Sequence, residues 1–382
     1  MQRAPRIFIV AGEASGDQLG YKLMCAIRAL KPEACFVGVG GKLMSEEGLE
    51  SLFPMDDIAV MGFLPVIARL PLLLKRISQT AEEIVAQKPD VLVIIDSPDF
   101  THRVARIVRK ANSNIPIVNY VSPTVWAWRP GRAKKMRPYV DHLLALLPFE
   151  PSAHEELGGP ACTYVGHPLI EQFAQLRPDG EKSLEREKPR LLVLPGSRHS
   201  EVARLLPLFR ETVALLVNTI GPVDVLLPAV DRLADEIQMK VRDWPVPVQV
   251  IRGEAGKWGA FRTARAALAA SGTVTLELAL AQVPMVAAYK VNAIEAMIAR
   301  RVLRLSSVSL PNIILGEIVV PEFIQEDCTP QKLSDALVPL MQKSSVREVQ
   351  LKAFKHLEEV MRLADNQSPS VKAAKIVLSF CV

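Results

Sequence analysis

Two short segments of this 382-residue chain join small, turn-forming residues to groups that bind anions. In PGSRHSE (Pro195–Glu201), Gly196 permits a tight turn after an apolar run and Ser197 can cap the helix that follows. The free N–H groups at such a helix start carry roughly half a positive charge, and Arg198 adds a fork of donors matched to phosphate oxygens. Alone, the same residues could form a capped helix with a surface arginine. In ASGTVTLELAL (Ala270–Leu280), Ser271, Gly272 and Thr273 make a second small-residue turn that could hold a phosphate. Glu277 follows about one helical turn later, where a carboxylate can accept from both hydroxyls of a ribose. A lone helix glutamate is more often merely solvated; the pairing with PGSR favours the ligand role.

A proton-moving group is found in VLVIIDSPDF (Val91–Phe100). Asp96 ends a strongly apolar run, the position at which ligands meet a parallel sheet, and partial burial there would suit a general base. A plain turn carboxylate is the alternative, and Asp99 could cap the next helix. AGEASGD (Ala11–Asp17) is expected to open toward the same place. Gly12 and Gly16 allow close backbone approach, Ser15 or Asp17 can cap a helix, and Glu13 has no evident structural duty. This spacing is not GxGxxG, so a dinucleotide site is not indicated. The six histidines and five cysteines show no metal-ligand spacing, and no DxD pair occurs, so neither a metal nor another cofactor is expected.

These groups need a frame. Apolar, β-branched runs recur between helical patterns: Arg6–Val10, Phe36–Val39, Val91–Ile95, Ile117–Val121 and Leu143–Leu147 in the first half. Arg190–Leu194, Val223–Leu227, Val248–Ile251, Ala266–Ala270 and Met285–Ala288 follow in the second. Continuous apolar strands with helical spacers predict parallel sheets covered on both faces. The polar stretch Glu171–Lys188 separates the halves, and each half opens alike, with a strand, a Gly/Ser turn and a helix. The fold class is therefore α/β, with two Rossmann-like, doubly wound domains facing each other. Residues 1–170, completed by 350–382, form one, and 171–349 form the other.

Composition narrows the function classes. Nearly half the residues are hydrophobic, enough for large cores, while aromatics make up 5%, too few for a nucleic-acid surface built on stacking rings. A net charge of +5 helps attract anionic partners without demanding nucleic acid. The odd, scattered cysteines lack CxxC pairs, which suits a reducing compartment and buried structural thiols. Arg6–Val10 is too short for a signal peptide and has acids soon after it, so a buried first strand fits. IAVMGFLPVIARLPLLLKRI (Ile58–Ile77) is broken by Pro65, Arg69 and Pro71, so it cannot span a bilayer. It reads either as an interfacial segment touching acyl chains through Met61, Phe63 and Leu64, or as a core helix. The densest basic run, RPGRAKKMR, offers Arg132, Lys134 and Lys135 to anionic headgroups, next to Trp126 and Trp128, which suit a lipid interface or the floor of a sugar site.

Taken together, AGEASGD, VGVGGKLM, IDSPDF, VSPTVWAWRPGR, LPFEP, VGHP, LPGSR, ASGTVTLE and SLPNIILGEIVVPEFIQE resemble the lipid-A-disaccharide synthase family in order and spacing. The resemblance implies GT-B architecture and an inverting, metal-free glycosyltransferase. Such an enzyme joins UDP-diacylglucosamine to diacylglucosamine 1-phosphate through a β(1→6) link and releases UDP. It would be cytoplasmic and peripheral on a Gram-negative inner membrane, with a homo-oligomer left open. By position, the resemblance makes Asp96 the base and Arg198 the holder of donor phosphate. Asn312, with Ser271, Gly272, Thr273 and Glu277, would bind UDP. Glu13, Ser15 and Asp17 would line the facing wall, and Glu322 and Gln325 the hinge side. Two departures stand out: GEIVVPE lacks the arginine usual after the glycine Gly316, and Ser97 replaces the commoner alanine. A UDP-sugar epimerase of similar architecture and a non-catalytic, nucleotide-regulated membrane adaptor are the rival readings.

Overall fold

The computed structural model describes residues 3–59, 69–172, 188–292, 297, 307–364 and 367–381. The chain divides into two compact units, one from Met1–Ile170 with Arg362–Val382, the other from Glu171–Met361.

In the first unit, β1 (Arg6–Ala11) leads to α1 (Ala14–Leu30), β2 (Cys35–Val39), α2 (Lys42–Glu46) and β3 (Glu50–Ser51). Then come α3 (Leu70–Gln87), β4 (Val91–Ile95), α4 (Pro98–Ala111), β5 (Ile117–Tyr120), α5 (Gly131–Met136), β6 (His142–Ala145), α6 (Glu150–Glu156) and β7 (Ala161–Tyr164). The seven strands are parallel in the order β3-β2-β1-β4-β5-β6-β7. The sequence is apolar without a break from Ile7 to Ala11 in β1 and along all of β4 because both faces are covered. Ile7, Ile9 and Ala11 join Val91, Val93 and Ile95 in one core cluster, and Phe8, Val10, Leu92 and Ile94 join the other. Burying a side chain of this size is worth about 1.5–3 kcal/mol, so these two strands are the heart of the unit. Ala11 pairs with Ile95, so the loops after β1 and β4 emerge side by side.

The second unit runs β8 (Arg190–Leu194), α7 (His199–Ile220), β9 (Asp224–Pro228), α8 (Asp231–Lys240), β10 (Val248–Ile251), α9 (Glu254–Thr263) and β11 (Ala266–Ala270). It continues with α10 (Thr273–Leu280), β12 (Met285–Tyr289), α11 (Leu310–Leu315), β13 (Glu322–Ile324), α12 (Pro330–Met341) and α13 (Ser345–Met361). Its six parallel strands lie in the order β10-β9-β8-β11-β12-β13. The last helix, α14 (Pro369–Leu378), returns to the first unit, where Ala373, Ala374 and Val377 join the cluster that also holds Leu19, Leu23 and Ile27 of α1.

All ten strands expected from the sequence are present, and β3, β7 and β13 are additional. These three occupy sheet edges and are incompletely buried, so their residues, ES, ACTY and EFI, show no apolar run. The expectation of buried thiols needs correcting. Cys328 alone is buried, while Cys35 is exposed where β2 begins, because a strand's first residue sits at the rim of its sheet.

Candidate functional site

At the carboxyl ends of β8–β11 the second unit holds a cavity of about 640 Å³. The sheet order reverses there, with β9 on one side of β8 and β11 on the other, the switch point at which open α/β sheets bind ligands. The wall includes the residue preceding each of four helices: Arg198 before α7, Val230 before α8, Gly253 before α9 and Gly272 before α10. Each helix start contributes N–H groups and a partial positive charge of about 0.5, features suited to an anion.

Both small-residue turns read from the sequence enter this wall. Gly196 holds φ +113°, and a Cβ there would meet Glu201 Oε2 at 2.4 Å, which explains the glycine. Ser197 does not cap α7. Arg198 takes that position, and the Glu201 carboxylate accepts from the N–H of Ser197 at 3.0 Å and of Arg198 at 3.2 Å. A carboxylate reaching back from the first turn satisfies two donors where a serine hydroxyl satisfies one. Glu201 also receives Arg198 Nη1 at 3.0 Å, while the arginine side chain stays 69% exposed. In the second turn Ser271 donates to Val308 O at 2.6 Å, so its hydroxyl is committed. Glu277 lies on the wall and pairs with Lys257 Nζ at 2.5 Å. Lys257 went unnoticed in the sequence, although GEAGK has the same form as PGSR: a glycine turn, a helix start, then a cation.

Asn312 and Glu322 are not on the cavity wall; they form a buckle behind it. Glu322 accepts from Ser307 Oγ at 2.5 Å, Val308 N at 3.0 Å, Ser309 N at 2.7 Å and Asn312 Nδ2 at 3.0 Å. Asn312 Oδ1 accepts from Val319 N and Val320 N at 2.9 and 2.8 Å. With Asn312 buried and these groups satisfied, the pair fastens 307–312 to β13, and Val308 in turn holds Ser271. Gln325 pins the loop after β12, accepting from Val291 N at 2.7 Å and donating to Val291 O at 3.3 Å.

In the first unit, Asp96 and Ser97 follow β4, again where the sheet order reverses, between β1 and β4. Both sit at positive φ, 53° and 43°, a strain that persists only where neighbours enforce it. Ser97 N donates to Asp96 Oδ1 at 2.8 Å, Ser15 Oγ lies 3.4 Å from Asp96 Oδ2, and Ser97 Oγ lies 3.3 Å from Glu13 Oε1. Glu13, rather than Ser15 or Asp17, precedes α1, and Gly16 is buried in its first turn. Asp17 is buried and faces another helix. Its carboxylate accepts from Gly41, Leu43 and Met44 N–H at 2.8–3.1 Å, capping α2. Among the described residues, Glu13, Ser15, Asp96 and Ser97 therefore form the polar group at this sheet edge.

Beside it, the loop after β5 begins with Val121 at φ +78° and is secured by a buried carboxylate that the sequence did not reveal. Glu150 accepts from Trp126 Nε1 at 3.2 Å and from Leu146 and Leu147 N–H at 3.1 and 2.9 Å. Burial raises its carboxyl to about 7, against the opposing pull of these donors. Ser122 Oγ bonds His154 Nε2 at 2.8 Å, and burial lowers that imidazole to about 4.

Met61, Phe63 and Leu64 lie outside the described residues. Of the apolar segment around them, Ile77 of α3 is core, whereas Leu70 and Leu74 are 42% and 50% exposed, so its described part divides between the two readings. On α5, Lys134 and Lys135 are exposed and Arg132 pairs with Asp99 at 3.2 Å. Among the described residues, no helix is long and apolar enough to cross a membrane, and no cluster of metal-binding side chains occurs.

The sequence profile of lipid-A-disaccharide synthetase matches residues 7–377. The lipid-A-disaccharide synthase of Nitrobacter winogradskyi is 56% identical over 376 residues, covering 98% of this chain and 95% of the relative. The UDP-GlcNAc 2-epimerase of Neisseria meningitidis, solved with UDP-GlcNAc, superposes with a TM-score of 0.59 at 10% identity over 98% of this chain and 99% of that one. MurG of Acinetobacter baumannii gives 0.56 at 15% identity, covering 94% and 99%. At such identities the structural likeness fixes the fold, two parallel-sheet α/β domains of the GT-B kind, and nothing finer.

Proposed function

The chain belongs to the lipid-A-disaccharide synthetase family, and from that premise we propose that it transfers the sugar of UDP-2,3-diacylglucosamine to 2,3-diacylglucosamine 1-phosphate. The products are UDP and a β(1→6)-linked lipid A disaccharide 1-phosphate. One observation carries the donor half: four helix starts converge on a single cavity that also contains Arg198 and Glu277. A nucleoside diphosphate matches that wall, its phosphates meeting the turns Gly196–Arg198 and Ser271–Thr273, and its ribose meeting Glu277.

Asp96 serves the acceptor. Its carboxylate takes the proton of the 6-hydroxyl as that oxygen attacks the anomeric carbon, the bond to the β-phosphate oxygen breaks, and the configuration inverts. The negative charge growing on UDP is met by preorganised N–H donors and Arg198, each such donor typically contributing about 3–4 kcal/mol. Asn312 and Glu322 serve UDP indirectly, by fixing the segment that holds Ser271. The acyl chains of both substrates call for contact with a bilayer, for which exposed Leu70 and Leu74, Met61, Phe63 and Leu64, and the bases Arg132, Lys134 and Lys135 are the proposed surface. On this reading the enzyme is a peripheral protein of the cytoplasmic face of the inner membrane.

The test is to incubate the purified protein with both lipid precursors and follow disaccharide and UDP. Asp96→Asn is expected to lower turnover by at least about 10²-fold while leaving UDP affinity unchanged. A wild-type rate from this variant would remove Asp96 as the base. An epimerase would instead convert water-soluble UDP-N-acetylglucosamine on its own. The adaptor reading falls with membership of an enzyme family.

A further inference from the structure

We infer that Lys257 is a positioning residue that fixes Glu277 for the ribose, so that the Lys257–Glu277 pair makes the second unit's site select a ribonucleotide over its 2′-deoxy counterpart. The inference rests on the donor-site reading above and adds to it a residue and a specificity.

Lys257 stands in the first turn of α9 and Glu277 in α10, and both line the cavity. Their side chains are 26% and 15% exposed, and Nζ lies 2.5 Å from Oε2. The ammonium also lies 4.5 Å from the centroid of the Trp258 ring and 5.6 Å from that of Phe261, two faces that narrow where it can go. Oε2 is thereby held by the Lys257 ammonium, and among the described residues no other side chain is paired with Glu277. One oxygen is anchored, and Oε1 remains to accept from vicinal hydroxyls.

Charge explains why a cation is needed there. The wall carries four carboxylates, Glu201, Asp231, Glu254 and Glu277, against Arg198 and Lys257. Glu201 already takes up part of the Arg198 charge through Nη1. A bare carboxylate at 277 would repel the incoming diphosphate and be free to turn away from the sugar. Paired with Lys257, it is neutralised and keeps its acceptor in place.

The experiment measures calorimetric affinities of the full chain for UDP and for 2′-deoxyuridine diphosphate. Wild type is expected to prefer UDP by at least about tenfold, the size of one hydrogen bond to a charged group. Lys257→Met and Glu277→Gln should each collapse that ratio toward one, and Lys257→Arg should keep most of it, which separates loss of the pair from loss of the fold. If Lys257→Met weakens both nucleotides equally with the ratio intact, the lysine serves the phosphates and the inference is overturned; an unchanged pair of affinities overturns it as well. Failure of the wild type to bind UDP would instead overturn the donor-site reading, and this inference with it.

Discussion

Gly12 and Ser97 pack so closely that a Cβ on the glycine would lie 2.4 Å from that of the serine, and this closeness brings Glu13 within reach of Ser97 at the Asp96 edge. Gly12→Ala should therefore destabilise the protein by about 1–3 kcal/mol through overpacking, read from urea unfolding. Adding Ser97→Gly should recover part of that loss, and a harmless Gly12→Ala would refute the packing argument. Glu150 supplies a pH test. Its carboxyl is raised from 4.5 to about 7, so it holds its proton more tightly folded than unfolded. Its contribution is fully present below about pH 4.5 and is lost as pH rises through about 7, a span on the order of 3 kcal/mol. Unfolding at pH 5 and pH 8 should show a smaller loss for Glu150→Gln than for wild type. Equal losses would mean that the carboxyl titrates normally.

At the scale of elements, the starts of helices do the chemical positioning. A glycine at the end of β8 turns the chain into α7, and another at the end of β11 turns it into α10, so both dipoles point into one cavity. α3 divides its faces differently. Ile77, Ala81 and Ile84 recur at helical spacing and enter the core, whereas Leu70 and Leu74, four residues apart, remain outside. If that exposed pair meets acyl chains, Leu70→Lys with Leu74→Asp should lower binding to anionic phospholipid vesicles several-fold without changing Tm. Undiminished sedimentation with vesicles would remove this stripe from the membrane surface. The short edge strands β3, β7 and β13 add no chemistry of their own, but β13 carries Glu322, whose bonds fix the segment behind Ser271.

For the whole molecule, the ten strands read from the sequence, nine of them interior, and the α/β class were legible because burial on both faces of a parallel sheet writes an apolar run into the sequence. The anion-binding turns were legible for a similar local reason: glycine, hydroxyl and arginine at a strand's end have few other uses. What a side chain does once it leaves its own segment was not legible. Asp17, Asn312 and Glu322 share motifs with residues of the site, yet their oxygens are taken up by backbone N–H groups 7 to 27 positions away in the sequence. Lys257 lies twenty positions before Glu277 and meets it only because β8, β9, β10 and β11 end at one edge. By itself, then, the sequence determined the local patterns: strands, turns, helix starts and the family. The tertiary structure decided which polar groups were spent on holding loops and which stayed open to a ligand, because hydrogen-bond partners distant in sequence are chosen by folding alone.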